Sequence, residues 1–418
     1  MARVKNLIRS IRGQPPGRRL AWVACASVWL AWGIGASGRP LPRRVDNITT
    51  GCVERFDPAT DYFPDKVAVE DAVNFRVAYH RSYKLVSVEE TYPGGPAERY
   101  VLLQCGAPAP ALDGPLARAQ LVRVPIASLF SASPTHLPLL VDLGRLDVLT
   151  GVPRLRDLVG DEIAARAATG QVREFAAASV IDAEIVASSR PSLFMTGGTA
   201  SASVSVIRAA GVPVVANIEW REASALARAE WLKYMSLFLN EERRAQATYS
   251  AIKARYLSLR ARATAGPQAR RPLVMTGRST LGTFTIAGGR SYVAALIRDA
   301  GGRYVWADNT AVGSAKVDLE AQIRRASNAD VWINGGGWTS LASMLEDEPR
   351  YATFKAYRTG QVWVYERRLT PAGGNDYWSR SISHPDVVLA DLIKIFHPDL
   401  VPEHALEWYI RVPARERP

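Results

Sequence analysis

The sequence predicts an α/β fold of two lobes, each a parallel sheet covered by helices, bridged by a single long α-helix. Three observations predict it. From about residue 120, short apolar runs alternate with helical stretches, the rhythm of strands buried on both faces by helices. Residues 223–263 contain no Gly or Pro and are rich in Ala, Leu, Glu and Arg, all good helix formers. After Gly266-Pro267 stops that helix, a second strand–helix rhythm begins. A length of 418 residues exceeds one ordinary core and suits two.

The elements follow in order. Residues 39–60 are Pro- and Arg-rich and read as a linker. Alternation over residues 75–79 and 83–88, then 100–103 after the turn Pro93-Gly94-Gly95-Pro96, gives three strands. The short apolar run 121–126 opens the strand–helix rhythm of the first lobe. It continues with a helix at 135–143, a strand at 147–152, a helix at 182–189, a strand at 192–195, a helix at 201–210 and an apolar run at 213–215. An unbroken helix over residues 223–263 would run roughly 50–60 Å; a break near Asn240-Glu241 would divide it. The second lobe has strands at 272–276, 329–334 and 361–365 and helices at 292–300 and 385–396. The layout is a signal at 1–38, a linker at 39–60, an N-terminal lobe at 61–220, a connecting helix at 221–265, a C-terminal lobe at 266–410 and a tail at 411–418.

The N-terminus has the pattern of an export signal. Arg3, Lys5, Arg9, Arg12, Arg18 and Arg19 precede an apolar run from Leu20 to Ile34, and Ala36-Ser37-Gly38 supplies the small residues of a cleavage site. The run is short for a membrane span, so cleavage is the primary expectation and an uncleaved anchor the alternative. Cys25 lies inside the apolar run, with Trp22 where a lipidation signal wants a Leu-like residue. Cys52 and Cys105 are then the two cysteines of the mature chain. In an oxidising compartment such a pair suggests one disulfide, with two buried thiols as the alternative. The six leading basic residues account for half of the net charge of +12. The remaining positive charge is solvated surface or an attraction for an anionic ligand or membrane. No zinc-finger, KH or RRM signature and no groove-binding basic helix appears, so no nucleic-acid partner is expected.

Several segments then resemble a known family. Ile218-Glu219-Trp220 and Ala227-Arg228-Ala229-Glu230-Trp231-Leu232-Lys233-Tyr234 are similar to the entry of the connecting helix in periplasmic siderophore- and cobalamin-type substrate-binding proteins of ABC transporters. So are Asn240-Glu241-Glu242-Arg243-Arg244-Ala245, Ala287-Gly288-Gly289-Arg290-Ser291-Tyr292, Asp299-Ala300-Gly301-Gly302, Asn375-Asp376-Tyr377-Trp378, Pro385-Asp386 and His397-Pro398. Asp61-Tyr62-Phe63-Pro64-Asp65-Lys66 resembles a subgroup. The resemblance runs over residues 52–410. It implies two Rossmann-like lobes on a helical backbone, a ligand in the cleft between them, and small hinge movement. It also implies a monomer that serves a permease and its ATPase. Docking to the permease would use one acidic residue per lobe, here Glu184 and Glu320. The family pattern Pro-Asp is replaced by Pro191-Ser192, and an expected acidic residue and Gly by Ser379-Arg380-Ser381.

Eleven tryptophans suit a large, flat or greasy ligand, and several follow expected strands, where open α/β sheets bind. Trp306, Trp338 and Trp378 are the aromatic candidates. Arg278, Arg290 and Arg380 are the cationic ones, because guanidinium forks match carboxylate or catecholate oxygens. Ser131, Thr135 and Thr196 to Thr199 would line the first lobe's side. Ordinary packing or solvated surface is the competing reading for each. The expected ligand is a ferric siderophore, with cobalamin or haem as alternatives and no intrinsic cofactor. A non-transport sensor on the same fold is a further alternative. Direct metal binding is disfavoured, because His80, His136, His384, His397 and His404 are scattered without ligand spacing. An enzyme is disfavoured too: Gly197-Gly198-Thr199 and Gly335-Gly336-Gly337 lack nucleotide-loop spacing, and no GxSxG elbow appears.

Overall fold

The structure, a computed structural model, describes residues 46–177, 180–198, 201–267 and 270–415. The expected export signal, Cys25, Thr199 and the first part of the linker lie outside these residues.

Four strands come first: β1 (Phe75–Tyr79), β2 (Tyr83–Val88), β3 (Glu98–Gln104) and β4 (Gln120–Val124), paired in that order. They are antiparallel except that β4 runs parallel to β3, with Tyr100 opposite Gln120 and Gln104 opposite Val124. The run expected to open the first lobe's main sheet therefore closes this preceding sheet instead. Residues 46–60 are tied down too: Asn47 is buried, and Cys52 and Cys105 are bonded.

The N-terminal lobe continues with β5 (Leu129–Ser131), α1 (Leu137–Asp142), β6 (Leu149–Val152), α2 (Asp161–Ala168) and β7 (Arg173–Glu174). A small hairpin of β8 (Ala176–Ala177) and β9 (Val180–Ile181) leads to α3 (Ala183–Ser189), β10 (Leu193–Thr196), α4 (Ala202–Ala209) and β11 (Val214–Ala216). The main sheet has the order β11-β10-β5-β6-β7 and is parallel throughout. Every residue of β10 is buried, as covering by helices on both faces requires. Helix starts are set locally: Asp182 Oδ1 accepts from the amides of Glu184 and Ile185 at 3.0 and 3.1 Å, satisfying two orphan donors of α3.

The expected long helix is three helices: α5 (Ala225–Ala229), α6 (Trp231–Leu239) and α7 (Glu242–Thr264). The first division falls at Glu230 and the second at Asn240, which adopts φ 58°, the left-handed conformation that Asn tolerates at a helix C-terminus. Its amide donates to Ile48 O at 2.7 Å and to Gln104 Oε1 at 3.1 Å. All nine residues of α6 are buried, so α6 is a core helix of the N-terminal lobe. Although α5 already packs Ala225 and Leu226 into the C-terminal core, the long bridge is α7. Ala245 packs in the N-terminal core, and Tyr256 and Ala263 pack in the C-terminal core. Its 23 residues span about 35 Å, well short of the length an unbroken helix would have.

The C-terminal lobe comprises β12 (Leu273–Thr276), β13 (Arg278–Thr280), β14 (Thr283–Ala287), α8 (Tyr292–Asp299), β15 (Arg303–Tyr304), β16 (Ser314–Asp318), α9 (Leu319–Ala326), β17 (Val331–Ile333), α10 (Leu341–Asp347), α11 (Lys355–Arg358), β18 (Val362–Val364), α12 (Pro385–Phe396) and β19 (Ile410–Arg411). Its main sheet, β15-β12-β17-β18-β19, is parallel except for the edge strand β19. A second, antiparallel sheet has the order β13-β14-β16.

Candidate functional site

The carboxyl ends of β5, β6 and β10 turn into loops that enclose a cavity of about 510 Å³. Ser131, Ser133, Pro134, Arg154 and Trp220 are among its lining. A second cavity of about 520 Å³ lies between the lobes. The N-terminal lobe gives it Asp142 of α1 and the start of α2; the C-terminal lobe gives it residues 368–371, Asp376, Ser379 and Arg380. The segment 157–160 stands between the two, since Asp157 and Leu158 line the first and Val159 and Gly160 the second. Gly374 of the C-terminal lobe rests on that segment. A Cβ there would lie 2.9 Å from Val159 Cγ2 and 3.2 Å from Asp157 O, so only glycine seats without displacement.

Polar contacts among the described residues hold the lobes together. Ser379 donates to Pro134 O at 3.4 Å. His384 Nε2 meets Asp142 Oδ1 at 3.2 Å. Deepest is Arg228 of α5, which donates to Glu219 at 3.2 Å and stacks 4.2 Å over the ring of Tyr292 at the start of α8. Burial pushes the Glu219 carboxyl up, while Arg228 and the Thr135 hydroxyl pull it down. Thr135, expected to line the cleft, thus takes part in this buried junction.

The aromatic wall of the C-terminal lobe is built from Tyr365, Tyr377 and Trp378. Tyr365 and Tyr377 stack with centroids 4.6 Å apart, and Trp378 meets Tyr365 edge-on at 5.1 Å. Trp378 remains 45% exposed. On the N-terminal lobe Trp220 is 42% exposed, held by its indole N–H donating to Gly197 O at 3.0 Å. Each lobe therefore leaves one tryptophan face open. Trp220 lines the first cavity together with Pro134, the residue that Ser379, next to Trp378, reaches across the seam.

The other sequence candidates scatter. Trp338 is buried, packs edge-on against Trp332 at 5.2 Å and donates to Asp347 at 2.8 Å. Its ring fills the space where Gly335 would carry a Cβ, 1.8 Å away; that close approach serves packing. Trp306 donates to Gln322 at 2.6 Å and lies under Arg325 of α9 at 4.4 Å. Thr196 borders a different cavity, beside Glu98 and Arg208. Ser131 does line the first cavity, but its hydroxyl is fully buried and bonded to His136 Nδ1 at 2.9 Å. Burial holds His136 neutral, its pKa pushed down to about 4. Among the arginines, Arg278 is paired with Asp347 at 2.7 Å, and Arg380 with Asp376 at 3.0 Å and with Glu407. Arg290 is exposed on the loop before α8. Glu184 and Glu320 are both exposed in the first turns of α3 and α9, and Glu320 is paired with Arg350 at 2.7 Å. No cluster of three or more metal-ligating side chains occurs among the described residues.

A family model described as periplasmic binding protein matches residues 127–369, more than half of the chain. The chain belongs to the periplasmic binding protein family. Among solved structures, a possible iron-binding (periplasmic solute-binding) protein from Staphylococcus epidermidis aligns with a TM-score of 0.52 at 17% identity, over 65% of this chain and 99% of that one. A periplasmic heme binding protein from Pseudomonas aeruginosa aligns with a TM-score of 0.51 at 20% identity, over 65% and 93%. At these identities the likeness is one of fold. An uncharacterized lipoprotein of Methanocaldococcus jannaschii is 30% identical over 45% of this chain and 43% of its own length. The chain spans about half the length of the curated relatives it matches.

In this periplasmic binding protein the residues hardest to foresee are Trp220 at the first cavity, Tyr365 of the aromatic wall and the buried Glu219–Arg228–Tyr292 junction. Glu219 and Arg228 are nine positions apart and separated by a helix start, so no periodicity pairs them. The seam also titrates. Burial opposes a charge on His384, but its bond to Asp142, the charge of Asp142 and that of Asp386 outweigh burial and the opposing Arg380, raising its pKa. A raised histidine pKa stabilises the fold fully below the unfolded value near 6.5 and loses that stabilisation as pH rises through the folded value. Wild-type protein should therefore lose about 1 kcal/mol more than His384→Gln between pH 6 and pH 9. Urea midpoints measured across that range check it; parallel pH profiles would contradict it.

Proposed function

We propose that this chain is the extracytoplasmic receptor of an ABC importer and that it captures a metal chelate between its lobes. The observation that carries this reading is the pair of half-exposed tryptophans, one per lobe: Trp220 lines the cavity of the N-terminal lobe, and Trp378 is the chain neighbour of Ser379, which lines the cavity between the lobes. Open indole faces on rigid walls suit a large ligand with apolar or planar surface. The iron-binding and heme-binding neighbours are of the same fold. Export agrees with the N-terminal signal pattern and the lipoprotein relatives. No described helix is long and apolar enough to cross a membrane. Glu184 and Glu320 would dock the two lobes to the permease.

A ferric siderophore is the first ligand class, from the basic surface of the chain. A planar macrocycle such as haem is the second. It is favoured by a specific finding: Arg380 and Arg278 are already neutralised by Asp376, Glu407 and Asp347, so the aromatic faces offer more than the charges do.

Intrinsic fluorescence of the purified protein, titrated with ferric siderophores, haemin and cobalamin, tests both. One chelate should quench saturably. Trp220→Ala and Trp378→Ala should each weaken its binding about 30-fold, the effect of a central aromatic anchor. A protein that answers none of these chelates would sink the reading.

A further inference from the structure

Outside the cleft, the two lobes repeat one local design. In the N-terminal lobe, Asp182 caps α3 and Glu184 stands exposed in its first turn. In the C-terminal lobe, Asp318 caps α9 and Glu320 stands exposed in its first turn. Each lobe also carries an exposed apolar side chain on the hairpin that leads into, or pairs with, the capping residue. Val180 pairs with Ala177 in the β8–β9 hairpin, is 67% exposed and sits two residues before the Asp182 cap. Leu281 forms the two-residue tip of the β13–β14 hairpin with Gly282. The adjoining Thr283 pairs with Asp318 itself.

Leu281 is an anomaly on its own terms. Its exposure is 101% and its φ is 49°, followed by Gly282 at 80°. Two successive left-handed residues make the hairpin turn that selects Asn, Asp or Gly at its first position. Leucine there is sterically disfavoured and buries nothing, so the fold gives no reason for it. A contact with another molecule would.

We propose that Val180 and Leu281 are paired apolar contact points that seat the two lobes on the permease of the importer, each on the hairpin joined to the cap of its docking helix. The inference rests on the importer reading above. The complementary surface would offer, for each lobe, a cation and an apolar hollow next to it. Glu184 forms no ion pair among the described residues. Glu320 can exchange Arg350 for an outside cation, because Arg350 keeps Glu348 at 2.7 Å. Charge steers the approach, and the apolar contacts, dry at the centre of the interface, set the dwell time.

The experiment uses cells lacking the native gene, complemented with the full chain carrying Val180→Asp, Leu281→Asp or both, and supplied with haemin and a radio-iron-labelled ferric hydroxamate. Uptake should fall about 10-fold in each single variant and further in the double. Chelate binding to the purified variants should stay at the wild-type level. Val73→Asp, at an equally exposed valine before β1 that belongs to neither hairpin, should take up chelate normally. Leu281→Asn separates docking from folding: asparagine suits the turn, so the thermal midpoint should hold or rise while uptake still drops. Wild-type uptake by the double variant, with chelate binding intact, would overturn this proposal alone. A wild-type protein that binds neither probe nor any other chelate would bring down the importer reading and this proposal with it.

Discussion

Replacing Lys84 with methionine should cost roughly 3–5 kcal/mol of stability, the penalty for stranding a buried charge. Lys84 projects from β2 with a fully buried side chain, as does its partner Glu242 at the start of α7, 2.5 Å away. Burial opposes charge on both groups. The ammonium nevertheless has three acceptors for its three N–H donors: Leu237 O at 2.6 Å, Asn240 Oδ1 at 2.8 Å and Glu242 Oε1. Asn47 donates to the second carboxylate oxygen of Glu242 at 2.8 Å. Methionine fills the volume and satisfies none of these acceptors. The double variant Lys84→Met/Glu242→Leu removes both charges and should recover part of the loss. Urea unfolding of the two variants measures this. A single variant within 1 kcal/mol of wild type, or a double variant no better than the single, would show that the pair is not a coupled unit. The network surrounds the left-handed turn at Asn240, so it also fixes the direction in which α7 leaves the N-terminal lobe.

Removing the Cys52–Cys105 disulfide should have a comparable effect. The bond closes a segment whose ends are 53 residues apart, for which chain entropy predicts about 4 kcal/mol. The bond is set in a local framework: Val53 N donates to Cys105 O and Cys105 N to Val124 O, both at 2.8 Å. It therefore pins residues 46–60 to the ends of β3 and β4. Cys52→Ser/Cys105→Ser should unfold at a markedly lower urea concentration than wild type and bind whatever chelate the wild type binds, because the bond lies in the first sheet and not at the cavities. Two thiols that alkylate freely in the folded protein, purified without reductant, would refute it.

The candidate site was only partly legible in the sequence, and particular residues show why. Trp378 follows the family-like Asn375-Asp376-Tyr377 stretch and does remain open on its wall. Trp306 and Trp338 also sit in loops after strands, yet they turn inward, each with its indole N–H on a side-chain acceptor. A loop position specifies that a residue can reach a strand end; which way its ring turns depends on partners such as Gln322 and Asp347, distant in sequence. The arginines behave likewise. Their charge is legible in sequence, but the carboxylates that neutralise Arg278 and Arg380 come from positions up to 69 residues away.

By itself the sequence determined the α/β class, the two lobes with a helix between them, and the resemblance to its family. Those features follow from local properties: apolar runs, helix propensity, and punctuation by Gly and Pro. Only the tertiary structure decided where the helix divides, which strand belongs to which sheet, and which tryptophans stay open. Helix composition through residues 223–263 is continuous, but a buried Lys84 donates to the side-chain oxygen of Asn240 while the Asn240 side-chain amide donates to Ile48 O, and together they hold the turn there. Such choices are made by groups far apart in the chain that must satisfy one another once water is excluded, and no local pattern carries that information.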